Sequence, residues 1–97
     1  MLYCDLTLNG SPLFVGMPCL NGKAIGNYPY LGFVGQLVFV DEQGGQDPSS
    51  PGLGTRYVLI YYVPGQPNQQ IPLSDVPNQQ FDIVLGTQNC TISIYTA

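Results

Sequence analysis

The sequence predicts an all-β domain, a small barrel or sandwich of six to seven antiparallel strands. Three observations carry that reading: period-two alternation of apolar residues in four segments, abundant β-branched and aromatic residues, and no capped window with apolar residues at i, i+3, i+4 and i+7. At 97 residues the chain makes one domain, spanning 1–97. A core of that size buries only a little over about 60% of the unfolded surface.

The elements follow in order. Leu2, Cys4, Leu6 and Leu8 alternate with Tyr3, Asp5 and Thr7, the period of a half-buried strand. Asn9-Gly10 then gives the strongest short hairpin signal, because a type I′ turn needs positive φ at both central positions. Leu13 and Val15 are expected to continue the inward phase on the return strand. Gly22, Gly26 and Pro29 break the next stretch, leaving Lys23-Ala24-Ile25 as a candidate short strand.

Residues 36–40 and 57–62 are apolar on both parities, which predicts strands covered on both faces, either central in a closed sheet or lying in a subunit interface. Between them, residues 41–55 (DEQGGQDPSSPGLGT) form a loop by composition. Residues 63–70 (VPGQPNQQ) have the composition of an extended connector. Phe81, Ile83 and Leu85 alternate up to a turn placed at residues 86–89, and Cys90, Ile92 and Ile94 alternate away from it as a second hairpin.

Charge sets limits on partners. Two basic residues, Lys23 and Arg56, stand against six acidic ones for a net charge of −4. Nucleic-acid affinity rests on several Lys and Arg contacts to phosphate, so no nucleic acid is expected as a partner. A polybasic membrane anchor is excluded by the same shortage, and no apolar run approaches the roughly 20 residues of a spanning helix. The opening MLYCDLTLNG lacks the basic start and cleavage site of a signal peptide. Charged residues make up 8% of the chain, against about 25% in ordinary domains. Such a surface is expected to be partly covered in an assembly.

Catalytic chemistry is hard to assemble from these residues. There is no histidine, which removes the usual general base, triad orienter and metal ligand. Cys4, Cys19 and Cys90 lack CxxC spacing and read as buried reduced thiols rather than a zinc site, with a Cys4–Cys90 disulfide as the alternative. Asp41, Glu42 and Asp47 do not follow the alternating pattern of a calcium loop and read as turn formers. No catalytic residue, metal or cofactor is expected.

Several motifs together resemble a known family. Tyr30-Leu31-Gly32-Phe33, Gly35, Leu37, Phe39, Asp41 and Gln43-Gly44 are followed by Asp47-Pro48, Gly52-Leu53-Gly54 and Arg56-Tyr57. This pattern resembles the baseplate plug family of contractile-tail phages, of the cyanophage kind. The opening typical of that family, IPL-x-x-VPNQ, occurs here at residues 71–79, near the other end. The resemblance therefore implies a circularly permuted order, in which residues 63–70 join the family's original C- and N-termini.

The resemblance also implies a function: a structural virion protein near the axis of the tail baseplate, made in the host cytoplasm and docked to hub, spike or tube proteins. An axial location leads to the expectation of a homo-oligomeric ring, three-fold or six-fold. Tyr30, Phe33, Asp47, Arg56, Tyr57 and Tyr62 are the interface candidates, Arg56 pairing with Asp47 or with an acidic group of the next subunit. The competing reading is a small monomeric β-barrel that binds glycan or peptide, which exposed tyrosines also suit. Light scattering during size exclusion separates a ring from that monomer.

Overall fold

The computed structural model describes residues 1–26 and 32–96. Seven antiparallel strands form two packed sheets: β1 (Leu2–Leu8), β2 (Ser11–Pro18), β3 (Gln36–Asp41), β4 (Tyr57–Tyr62), β5 (Gln69–Ile71), β6 (Gln79–Leu85) and β7 (Gln88–Thr96). One sheet runs β2-β1-β7-β6 and the other β3-β4-β5. No helix occurs among the described residues. The sandwich form of the expected all-β domain is thus the observed one.

Alternation places the core. Leu2, Cys4 and Leu6 of β1 and Cys90, Ile92 and Ile94 of β7 face Leu37, Phe39, Leu59 and Tyr61 of the other sheet. All three cysteines are free and buried. Burial pushes the Cys19 thiol up to about 12 and holds Cys4 and Cys90 above the ordinary thiol range, so all three are weak nucleophiles.

The β1–β2 turn has φ of 50° at Asn9 and 82° at Gly10, the signature of type I′. The return strand departs from the expected phase. Thr7 lies opposite Pro12 but Leu6 opposite Phe14, and a second shift follows between Leu6 and Cys4. These bulges turn Phe14 inward, leave Leu13 half-buried and put Val15 in solvent. Asp5 holds the irregular strand, accepting from the Gly16 amide and the Tyr95 hydroxyl, both at 2.7 Å.

Lys23-Ala24-Ile25 form no strand. Isolated bridges join Asn21 to Phe39 and Ala24 to Val38, and the amides of Gly22 and Ile25 donate to the carbonyls of Phe39 and Leu37. Cys19 meanwhile donates to the Leu2 carbonyl. Residues 19–25 thus close the sandwich between β1 and β3.

The β6–β7 turn is tighter than expected. Leu85 pairs with Gln88, so only Gly86 and Thr87 are in the turn and Gln88 and Asn89 belong to β7. A φ of 66° at Gly86 suits the first central position of a type II′ turn. Within residues 63–70, an exposed turn closed by Gln66 to the Val63 carbonyl leads into Gln69 and Gln70, which pair with Tyr61 and Ile60 as the start of β5. Finally, β1 and β7 are antiparallel neighbours from Leu2↔Thr96 to Leu8↔Cys90.

Candidate docking surface

The two-sided apolar strands create two different faces. Register pairs Leu37 with Tyr61, Phe39 with Leu59 and Asp41 with Tyr57 on the inner side. On the outer side it pairs Gln36 with Tyr62, Val38 with Ile60 and Val40 with Val58, while Gln70 of β5 flanks Ile60. No charge stands among these outer residues. Cross-strand β-branched pairs shield one another, and Val58 is only 5% exposed although it points away from the core. Val40 and Tyr62 remain 37% and 41% exposed. The outcome is an uncharged apolar face on a small sheet of otherwise polar rim.

A buried carboxylate fixes the loop at one end of this face. Asp41 takes Arg56 in a bidentate pair, Nε to Oδ1 at 2.9 Å and Nη2 to Oδ2 at 3.0 Å. The same oxygens accept from the amides of Gln43 and Gln46, and the Asp41 side chain is fully shielded from solvent. The Arg56 guanidinium lies 5.0 Å from the Tyr57 ring centre. The expected Arg56–Asp47 pair is therefore replaced by Arg56–Asp41. Asp41 starts the loop directly across β3–β4 from Tyr57, whereas exposed Asp47 turns away to accept from the Asn21 amide at 2.9 Å.

The electrostatics of Asp41 give a prediction. Hydrogen bonding from Arg56, then from the two amides, holds its carboxyl well below the usual carboxylate range. A carboxyl depressed in the folded state contributes stability above its unfolded pKa of about 3.9 and loses it as pH falls toward the folded value. Urea midpoints are therefore expected to drop below about pH 4, and Asp41→Asn should lower the midpoint at neutral pH while flattening the acid drop. A variant matching wild type at neutral pH contradicts this role.

The remaining sequence-predicted contacts are dispersed. Tyr57 is 3% exposed and belongs to the core, its hydroxyl meeting Gln46 Oε1. Phe33 is half-buried against Tyr61, ring centres 6.0 Å apart. That neighbourhood is held by Gln88, which brackets Val34 by accepting from its amide and donating to its carbonyl, and by the Tyr61 hydroxyl, which also donates to that carbonyl. Tyr30 lies outside the described residues. Among the described candidates only Tyr62 sits on the uncharged face. Val38, Val40, Val58 and Ile60 make up the rest of that face, and the two-sided apolar pattern of their strands is the sequence signal for them.

Two further carboxylates bond within the chain, one to a loop and one across β6–β7. Asp75 Oδ1 accepts from Ser50 Oγ and from the amides of Gly52 and Leu53, and Asp82 accepts from Thr91 Oγ1 at 2.7 Å. No group of three or more potential metal ligands is found among the described residues. The arrangement is suited to holding shape and to presenting a surface.

Comparison with known proteins agrees with this. A family model described as the cyanophage baseplate Pam3 plug gp18 matches residues 1–64, which span β1 to β4 and the whole β3–β4 face. No curated protein and no solved structure matches the chain.

Proposed function

The chain belongs to the cyanophage baseplate plug family, a family of structural baseplate components, and from that premise we propose that it acts by self-association and by docking to hub, spike or tube proteins. The observation that carries the reading is the uncharged outer face of β3–β4, with Val40 and Tyr62 open to solvent. Copies placed around the tail axis would cover it in a closed three-fold or six-fold ring. Arg56 and Tyr57 support this face from inside by fixing the 41–56 loop.

Light scattering over a dilution series tests it. Wild type is expected at the mass of a ring, and Val40→Asp or Tyr62→Ala should shift it toward monomer by tenfold or more in association constant, about 1.4 kcal/mol or more. Lys23→Ala should leave the ring intact. A monomer at millimolar concentration contradicts self-association and favours the monomeric glycan- or peptide-binding barrel.

We also read the chain order as rotated relative to the family. Two observations support it: the family match ends at residue 64, inside the 63–70 connector, and Leu2 lies opposite Thr96. A two-residue Asn-Gly turn between Ala97 and Met1, with the chain reopened at the exposed turn of Gly65, should keep the fold and its thermal midpoint. An insoluble or unfolded rejoined protein would contradict the rotated order.

A further inference from the structure

The two sheets end in four edges, and three are blunted. β2 carries Pro12, Pro18 and two register shifts. β3 is bridged by Asn21 and Ala24. β5 has only three residues. β6 differs, because its seven residues pair with β7 in unbroken register from Gln79↔Ile94 to Leu85↔Gln88, with no proline, lysine or bulge. Among the described residues only β7 pairs with it. Long, regular edges without such protection are templates for another strand.

The turn fixes which groups are available. The pair closing a two-residue hairpin is hydrogen-bonded, and bonded pairs recur at every second residue. Gln79, Phe81, Ile83 and Leu85 therefore bond to β7, while Gln80, Asp82 and Val84 aim their N–H and C=O groups away from it. The side chains of these same residues lie on the solvent face, Val84 at 55% exposure. At the turn end, a cleft of about 410 Å³ separates Gly86, Thr87 and Gln88 from Gln69 at the start of β5.

Charge selects the occupant. Full antiparallel overlap of two β6 edges centres on Asp82 and sets one carboxylate opposite another, an unfavourable cross-strand pair. The other edges of a second copy are blocked or short. Asp82 is the single charge on β6, and it is positioned by its bond from Thr91. The chain has only two cations, Lys23 and an Arg56 already held by Asp41. Lys23 sits in the 19–25 segment already bridged to β3, so no free strand of a second copy carries a cation to Asp82, and a complementary one must come from a different protein.

We propose that the β6 edge from Gln80 to Val84 accepts an extended segment of another protein as an added strand, with a Lys or Arg opposite Asp82 and an apolar residue beside Val84. Main-chain bonds would supply the affinity and the alternating side chains the selectivity. This surface is separate from the β3–β4 face of the proposed ring, so either can fail alone.

The test uses the full chain, labelled with ¹⁵N, and two acetylated, amidated six-residue peptides: one alternating Thr and Val with a central Lys, and its twin with Glu in place of Lys. Hydrogen exchange at the amides of Gln80, Asp82 and Val84 should slow at least tenfold with the Lys peptide and much less with the Glu peptide. Asp82→Lys should reverse that preference, and Val84→Pro, which removes one outward N–H, should abolish the protection. Absence of protection at all three amides with millimolar Lys peptide overturns the proposal. So does equal protection by both peptides in wild type and Asp82→Lys. Slowed exchange without peptide that grows with protein concentration would make a second copy the occupant and also overturn it. Light scattering on the same samples reads the ring independently, so its loss with peptide protection intact counts against the β3–β4 face alone.

Discussion

Phe39→Ala is expected to destabilise the domain by about 3–5 kcal/mol, the range for removing a fully enclosed aromatic ring. Phe39 has no exposed surface, lies opposite Leu59 of the central strand β4, and accepts through its carbonyl from the Gly22 amide where residues 19–25 close the sandwich. The hole left by the ring would open inside the core shared by the two sheets. Small domains hold on the order of 5–15 kcal/mol in total, and short chains tend toward the lower end. The variant should therefore be close to unfolding at room temperature. Urea titration with an unchanged slope and a much lower midpoint is the expected result, and a loss under about 1 kcal/mol would contradict the assignment of Phe39 to the core.

Gly54→Ala is the second large effect. Gly54 has a φ of 84°, and a Cβ there would stand 2.7 Å from the Leu73 carbonyl oxygen. The left-handed conformation costs a non-glycine residue about 1–2 kcal/mol, and the clash is with backbone, which yields poorly, adding about 1–3 kcal/mol. Gly54 also donates to the Tyr57 carbonyl, and its neighbours Gly52 and Leu53 are held by Asp75, so the turn cannot easily swing away. Gly45→Ala is the control: its Cβ would meet open space and its φ is not positive. It should stay within about 0.5 kcal/mol of wild type. Equal midpoints for the two variants would contradict the packing of Gly54 against Leu73.

Much of this fold can be read from alternation, because a strand with one dry face must repeat every second residue. β1, β6 and β7 are of that kind, and the Asn9-Gly10 turn announces itself by its need for positive φ. β2 is misread for a physical reason: a bulge shifts phase by one residue, and Leu13 and Val15 satisfy the apolar pattern whether or not the strand is bulged. β5 is hidden because Gln69 and Gln70 are recruited by main-chain bonding to β4 and pack nothing. Lys23-Ala24-Ile25 fail as a strand because their pairing with β3 among the described residues amounts to one bridge, Ala24 to Val38, and the Ile25 amide on the Leu37 carbonyl.

The surface is legible in a coarser way. Apolar residues on both parities of β3 and β4 predict cover on both sides, and the outer valines bear the pattern. Side-chain type alone favours Tyr and Arg as individual contacts. Tyr57 then proves to be core, because its parity matches Leu59 and Tyr61, which face inward. Arg56 had several carboxylates within reach along the loop, and only the cross-strand position of Asp41 decides between them.

Co-elution with purified recombinant baseplate hub, spike and tube proteins tests the central claim most directly. The chain is expected to travel with at least one of them as a complex of fixed stoichiometry that Val40→Asp or Tyr62→Ala weakens and Lys23→Ala does not. A chain that elutes alone as a monomer beside every one of these proteins would contradict the account.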